Sequence, residues 1–404
     1  MTRSGHLVPE TEPPSAFVAL ILVLIPLAMV GLEIHIAALP DLLSDFGSTR
    51  EAVQWSLTAY LFGYALGQPF AGHFAEKHGR RPVVLWSLLL YAAVSMLLAS
   101  SASVALLALL RLLQGLVAAP VAVVSKTVIN DCFHGRDHQR MSNYASVAWA
   151  FGGLAPLAGA VTALLINWRA IFLVFGGVLL LLFFLCLRYW PETRPVDPIG
   201  RTGTHTAFRH ILTNRIFLAA VSCMALISSF SLIFSMDAPF LIEERLHRSL
   251  LAFGLSAAVM AVAWSIGPLI CQALYRRFSL AKIADSAFLS CVAVIILAEL
   301  SDLLIPESLT LTVISLFLIC IPGAVLFPIF LGAALRSNPR EYSALASALV
   351  GSLFVLLMSG ISAILSLFSD YRLVFLTALH LPLILSSYLI YLAFLRNSPA
   401  LASA

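Results

Sequence analysis

Apolar runs separated by short polar segments make up most of this chain. Twelve of these runs hold roughly 18 to 27 residues each, and about 20 residues of α-helix cross the hydrocarbon core of a bilayer. The pattern therefore predicts an all-α polytopic membrane protein with twelve transmembrane helices. The predicted spans are Phe17–Leu39, Val53–Phe70, Val83–Ser100, Val104–Val128, Met141–Ile166, Ala170–Trp190, Ile216–Met236, Leu251–Tyr275, Leu280–Leu300, Leu309–Leu335, Ala344–Phe368 and Leu373–Leu395.

A polar linker, Pro191–Asn214, divides the twelve spans into two sets of six. The prediction is a cytoplasmic tail (1–15), an N-terminal six-helix bundle (16–190), a cytoplasmic linker (191–214), a C-terminal six-helix bundle (215–396) and a second tail (397–404).

The two halves share local patterns, which predicts pseudo-symmetry between them. Gly67 recurs as Gly267 at the equivalent place, and Trp168-Arg169 is echoed by Tyr371-Arg372. Transporters built from repeats bind their substrates near the membrane midplane, between the repeats. The pattern therefore favours a transporter.

Composition supports membrane insertion and argues against other classes of protein. The chain is 60% hydrophobic and 11% charged, with a mean hydropathy of +0.97, whereas soluble domains carry roughly a quarter charged residues. The six cysteines lack metal-ligand or C-x-x-C spacing, and no Walker, H-E-x-x-H or G-x-S-x-G motif occurs. We therefore expect neither an enzyme nor a cofactor or metal, and uphill transport would have to use an ion gradient.

Positive charge predicts the topology. Eighteen of the 24 Lys and Arg residues fall in segments on the same side as both termini, five fall on the other side, and Arg111 lies inside a span. Cytoplasmic loops are the ones enriched in Lys and Arg, so both termini are predicted to be cytoplasmic. The net charge of +4 is explained by these loops and does not predict binding to nucleic acid.

A basic segment with glycines joins the second and third spans. Its polar residues cannot lie in hydrocarbon, so Gly72–Pro82 is predicted to be a short cytoplasmic loop whose glycines allow a tight reversal. A plain basic loop that only orients the helices is the alternative. The segment resembles the motif G-x-L-[AS]-D-[RK]-x-G-R-[RK] of the major facilitator superfamily, with Glu76 in place of Asp. The resemblance implies a latch for the outward-open state, in which the acid pairs with an Arg and a helix N-terminus; its residues are Gly72, Glu76, Lys77, Gly79, Arg80 and Arg81.

Two charges inside spans are candidates for proton coupling. Glu33 and Arg111 are predicted at similar depths, about 9 and 10 Å from the outer surface at about 1.5 Å per residue. Burial favours the protonated form of a carboxyl and a nearby cation favours the charged form, which suits Glu33 to carry a proton under the influence of Arg111. A structural Glu33–Arg111 ion pair and a glutamate at the interface are the alternatives.

The first, fourth and fifth spans contain further motif residues. Leu32-Glu33-Ile34-His35 is similar to a stretch of the Bcr/CflA branch of drug exporters, in which the acid is associated with proton and substrate coupling. Arg111 matches the arginine of the motif in the fourth helix of this family, and that arginine is associated with proton transfer. The resembling positions of the fourth and fifth spans also include Gln114, Gly115, Pro156 and Gly159, although three glycines of the antiporter motif are replaced. The resemblance implies a major facilitator fold in the bacterial inner membrane.

Several further residues are candidates for the substrate cavity, with helix packing as the alternative. Tyr60, Tyr64 and Gln68 form a stripe on one helix face, and Trp149 and Trp264 are ambiguous in the same way. Asp237 is either a second acid that attracts cationic substrates or a solvated helix end. His35 does not share a helix face with Glu33, which favours packing.

Together these features predict proton-coupled export of drugs or amphipathic small molecules by alternating access. The expected partners are a small-molecule substrate, protons and the lipid bilayer, and a monomer is expected. Export of an endogenous metabolite such as a siderophore or amino acid, proton symport, and a non-transporting sensor are the alternatives. A membrane enzyme is disfavoured because no loop carries a polar catalytic cluster.

Overall fold

The computed structural model describes most of the chain. The described residues are 14–133, 137, 140–141, 144–145, 148, 151–194, 204–305, 308–339, 342–366 and 380–402. Twelve helical segments, numbered here in chain order, take the places of the predicted spans. They are α1 Ser15–Phe46, α2 Arg50–His78, α3 Arg80–Leu98, α4 Val104–Cys132, α5 Gly152–Leu165, α6 Trp168–Tyr189, α7 Arg215–Phe240, α8 Leu250–Tyr275, α9 Leu280–Leu304, α10 Leu309–Arg336, α11 Ser343–Ser366 and α12 His380–Leu395.

Nine helices in the described part of the chain are long and apolar enough to cross a membrane. The shorter apolar helices α5 and α12 and the 29-residue α2 complete the set. The linker contains a ten-residue helix, Thr204–Thr213, and a π-helical turn, Leu241–Arg245, continues α7. We call the end of the bundle at which α1 begins and α12 ends the terminal face, and the other end the opposite face.

α1 is broken into segments. The segments are Ser15–Leu24, Leu27–Glu33, the 3₁₀ turn Ile36–Ala38 and Leu39–Phe46. Pro26 stands at the first break, where it has no N–H to continue the hydrogen-bond ladder. The helix runs past the predicted end of the span at Leu39 and ends at Phe46. Gly47 follows it, and its φ of +53° gives the left-handed C-cap that glycine favours.

The predicted loop between the second and third spans is mostly helix, which corrects the sequence interpretation. α2 continues to His78, and α3 begins at Arg80. Gly79 alone makes the reversal, with a φ of +99°. Gly72 lies within α2, where a Cβ would meet no atom within 4 Å. Residues such as Ala, Glu and Lys favour helix, so a polar segment beyond the bilayer extends the helix instead of ending it.

α2 and α4 cross with little space between their backbones. A Cβ on Gly63 would lie 2.0 Å from the carbonyl oxygen of Leu112, and a Cβ on Gly115 would lie 1.9 Å from that of Tyr60. Small residues permit this kind of close helix contact in membrane proteins. The crossing brings the polar side chains of α4 against α1 and α3.

Within the described residues, buried apolar side chains form two clusters. One is built mostly from α1–α6 and the other from α7–α12. This arrangement agrees with two halves, although the boundaries given above for the domains remain predictions. Binding of a substrate in the space between the halves stays a prediction from the sequence.

Candidate functional site

Arg111 is fully buried in α4 and is held by the broken part of α1. Its Nη1 donates a hydrogen bond to the carbonyl oxygen of Gly31 at 2.8 Å and another to Oε1 of Gln114, and its Nη2 donates to the carbonyl oxygen of Leu32 at 3.1 Å. Both carbonyls lie at the C-terminal end of the segment Leu27–Glu33, where carbonyls lack intrahelical donors. A cation is favourable at such an end, so Arg111 caps this segment.

A second layer of polar side chains surrounds this arginine. The guanidinium carbon of Arg111 lies 4.5 Å from the ring centroid of Tyr60. The Tyr60 hydroxyl donates to the carbonyl oxygen of Ala28 at 2.7 Å and lies 3.1 Å from the hydroxyl of Tyr91. On the other side, Nε2 of Gln114 donates to Oγ of Ser95 at 2.8 Å. Tyr60 therefore belongs to the packed interior of α1–α4.

Glu33 ends the helical segment that Arg111 caps, but its carboxylate is separate from the guanidinium. The side chain is half-buried, and the ion pairs of the described residues do not include Glu33. The alternative of a Glu33–Arg111 ion pair is therefore not observed. The two residues lie at the same level of the bundle because Arg111 bonds to the residues just before Glu33.

His35 is packed in the interior, as its position relative to Glu33 favoured. It is fully buried, with Nε2 at 3.3 Å from Oγ of Ser56 and its ring 5.8 Å from that of Phe172. Gly159 of α5 approaches the same part of α1, since a Cβ there would lie 1.7 Å from the carbonyl oxygen of Ile34. Pro156 stands in the first turn of the regular part of α5.

Polar contacts join the two halves at the opposite face. Nε2 of Gln54 donates to Oδ1 of Asp237 and to the carbonyl oxygen of Met236, each at 2.9 Å. Arg50 forms an ion pair with Glu244. Asp237 is 1% exposed, so the alternative of a solvated helix end is wrong, and this carboxylate instead contacts the other half of the protein.

The predicted stripe on α2 has several environments. The Tyr64 ring stacks on that of Tyr60 with 6.4 Å between the centroids and is half-buried. Gln68 is 7% exposed and faces α11, where a Cβ on Gly351 would lie 2.2 Å from Oε1 of Gln68. Trp149 lies outside the described residues.

An aromatic cluster in the C-terminal half consists of Trp264, Phe327 and Phe354. The sequence pointed only to Trp264, with helix packing as the alternative to a place in the cavity. Centroid distances are 6.2 Å from Trp264 to Phe327 and 5.5 Å from Phe327 to Phe354. Nε1 of Trp264 donates to Oγ of Ser231 at 2.8 Å. All three rings are half-buried, and Trp264 and Phe354 pack against both apolar clusters. Three scattered aromatic positions carry no sequence signal, because only the fold brings them together.

The predicted latch is arranged around a different acid. Oε1 and Oε2 of Glu192 accept hydrogen bonds from the backbone N–H groups of Arg80 and Arg81, at 2.8 and 3.1 Å, so this carboxylate caps the N-terminus of α3. Gly79 is needed there, since a Cβ would lie 2.4 Å from Oε2 of Glu192. Glu76, the expected acid, is exposed.

Other members of the latch are held at the terminal face by neighbouring segments. Nε of Arg80 pairs with Oδ2 of Asp131 at 3.1 Å. Nη2 of Arg81 donates to the carbonyl oxygen of Leu187 at 2.8 Å, and the carbonyl oxygen of Lys77 accepts from Arg194 at 3.1 Å.

Comparison with known proteins decides the family. The model of the Major Facilitator Superfamily matches residues 21–363. The chain belongs to this superfamily. The all-helical major facilitator fold predicted from the sequence is confirmed, and the chain is a multi-pass membrane protein of a family of small-molecule transporters, which are not enzymes.

Two relatives carry names that refer to drug resistance. A chloramphenicol resistance protein of Pseudomonas aeruginosa is 30% identical over 239 residues, which cover 59% of this chain and 57% of that protein. The multidrug resistance protein MdtL of Klebsiella pneumoniae (strain 342) is 24% identical over 307 residues, covering 76% of this chain and 77% of the relative.

A solved structure shares the fold over nearly the whole chain. It is a bacterial homologue of the human lysosomal transporter Spinster, in an inward-facing and unoccupied conformation, with a TM-score of 0.74 and 16% sequence identity. The match covers 95% of this chain and 98% of the other.

Proposed function

We propose that this protein exports drugs or other amphipathic small molecules across the bacterial inner membrane by proton antiport, as in the Bcr/CflA branch. The observation that carries the proposal is Glu33, a half-buried carboxylate inside the bundle whose side chain enters no ion pair among the described residues. A charge within a span is expensive and marks a pathway for ions or protons. The names of the two relatives support a drug as cargo.

Protonation of Glu33 would change its charge without breaking a salt bridge. Arg111 acts as a positioning residue, because it holds the end of the helical segment that carries Glu33. In the proposed cycle, Glu33 takes a proton from the outside, the halves rock, and substrate binding favours release of the proton to the cytoplasm. The reverse movement then expels the substrate. The excess of Lys and Arg in the loops at the terminal face supports a cytoplasmic location for that face, and the carrier is proposed to act as a monomer.

The aromatic cluster Trp264, Phe327 and Phe354 is the proposed wall of the substrate cavity in the C-terminal half. Ligand pockets are lined mainly by apolar and aromatic side chains with few polar groups. In the N-terminal half, Tyr64 provides a half-buried ring of the same kind. Trp264 is oriented by its bond to Ser231. An endogenous aromatic metabolite would suit the same wall, which keeps that cargo as the second candidate.

Transport in proteoliposomes under an imposed pH gradient tests the proposal, with chloramphenicol and lipophilic cations as cargo. We expect Glu33→Gln to lower gradient-driven transport by tenfold or more, because an amide cannot exchange the proton, while the protein stays folded. Glu51→Gln, on the exposed first turn of α2, is the matched control and should transport normally. Full proton-driven transport by Glu33→Gln would contradict the assigned role. Uptake that runs with the proton would replace antiport by symport.

A further inference from the structure

A proline in α2 leaves one carbonyl group without its usual partner near the middle of this helix. Pro69 lies inside α2 and has no N–H to donate to the carbonyl of Ala65, four residues earlier. Ala65 itself is 1% exposed. A carbonyl buried without a donor costs free energy, since hydrocarbon offers no water to replace the missing bond.

The donor comes from the other half of the protein. Oγ of Ser352, in α11, donates a hydrogen bond to the carbonyl oxygen of Ala65 at 2.8 Å. Ser352 is 5% exposed. The preceding residue, Gly351, allows the approach, because a Cβ there would lie 2.2 Å from Oε1 of Gln68. This bond therefore crosses between the halves within a close α2–α11 contact.

The equivalent crossing between α5 and α8 is built differently. α8 also contains a proline, Pro268, at the position that the repeat pattern relates to the Pro69 region. There Gly153 approaches Ala261, with 2.2 Å from an added Cβ to that of Ala261. Within Gly152–Leu165, no side chain donates a hydrogen bond to α8. Among the described parts of these four helices, a side-chain hydrogen bond therefore joins α2 to α11, and none joins α5 to α8.

We propose that Ser352, through the carbonyl that Pro69 leaves free, is a positioning residue that favours the conformation closed at the opposite face. The inference rests on the proposed alternation between two conformations. Movement of α11 away from α2 breaks the bond and leaves the Ala65 carbonyl to be hydrated in the opened cavity. The bond is therefore made in one conformation and lost in the other, and a contact of this kind biases an equilibrium between two states.

Distances between two spin labels on the opposite face measure this equilibrium in the full-length protein in lipid nanodiscs. The labels are attached at Ser44→Cys and Arg248→Cys, both exposed, after Cys132, the one cysteine that is not buried, is replaced by Ser. Ser352→Ala should raise the ratio of open to closed populations about threefold to tenfold, since a hydrogen bond contributes about 1 kcal/mol net and about 1.4 kcal/mol is a factor of ten.

Ser362→Ala is the matched control. Its Oγ donates to the carbonyl oxygen of Ser229 at 3.2 Å, within the C-terminal half, so the same loss of a buried hydroxyl should leave the ratio unchanged. Pro69→Ala supplies the specific test, because the restored N–H gives the Ala65 carbonyl a donor inside α2. In that background, Ser352→Ala should change the ratio less than twofold.

A ratio of open to closed populations that does not change in Ser352→Ala would overturn the inference. An equal change in Ser362→Ala would overturn it as well. An undiminished effect of Ser352→Ala in the Pro69→Ala background would also overturn it, because the free carbonyl would then be irrelevant. One unchanging distance in every variant and with every cargo would instead overturn the proposed alternation.

Discussion

At the scale of the residue, Arg111 depends on the shape of its side chain as well as on its charge. The guanidinium donates to two carbonyls of α1 and to Gln114 at once. A lysine ammonium is a compact point charge that cannot reproduce this planar fork. The arginine therefore fixes the break in α1 by geometry.

We expect Arg111→Lys to destabilise the folded protein by about 3 kcal/mol, since hydrogen bonds from a charged donor contribute about 1.5–3 kcal/mol each. Thermal unfolding in detergent would show this as a lower midpoint temperature. Arg169→Lys is the control, because Arg169 pairs with Asp45 at 2.7 Å with both side chains more than 40% exposed, and exposed pairs contribute about 0–1 kcal/mol. Equal midpoints for the two variants would refute the capping role of Arg111.

At the scale of the element, Gly31 lets α1 pack closely against α2 and α3. A Cβ on Gly31 would lie 1.8 Å from the hydroxyl oxygen of Tyr91 and 3.1 Å from that of Tyr60. Both hydroxyls bond to carbonyls of the same segment, at Leu27 and Ala28. Gly31 thus permits the two tyrosines to reach the backbone of α1.

Gly31→Ala should destabilise the protein by about 1–3 kcal/mol, the usual cost of overpacking an interior. Gly177→Ala on α6, where a Cβ would meet nothing within 4 Å, is the control and should be neutral or stabilising because alanine favours helix. Urea or thermal unfolding followed by tryptophan fluorescence measures both. If Gly31→Ala unfolds like Gly177→Ala, the tyrosines do not depend on this glycine.

The sequence predicted the helices better than the contacts between them. Run lengths and charges gave the spans, and the depths of Glu33 and Arg111 placed them at one level. Sequence could not show that Arg111 bonds to backbone carbonyls, because the break in α1 creates those acceptors. Nor could it identify Glu192 as the acid at the N-terminus of α3, since the two segments are far apart in the chain and meet only when the bundle has formed.

At the scale of the whole molecule, the hydrogen bonds found between the halves within the described residues lie at the opposite face or near the middle of the bundle. At the opposite face, the side-chain amide of Gln54 donates two of these hydrogen bonds, one to Oδ1 of Asp237 and one to the carbonyl oxygen of Met236. The closed opposite face is therefore stabilised at two levels. One is the contact of Gln54 with α7, and the other is the contact of Ser352 with α2.

Gln54→Leu removes two hydrogen bonds, one of them to a carboxylate, so we expect the open population to rise about tenfold or more. The distance measurement between labels at residues 44 and 248 reports it, with Gln272→Leu on the exposed side of α8 as control. Gln54 and Ala65 are eleven residues apart on one helix, or about 16 Å at about 1.5 Å per residue. Contacts separated by more than about 10 Å contribute additively, so the double variant with Ser352→Ala should multiply the two population ratios. A double variant no more open than Gln54→Leu alone would mean that Ser352 contributes nothing once the Gln54 contacts are lost. The two contacts would then be coupled instead of independent.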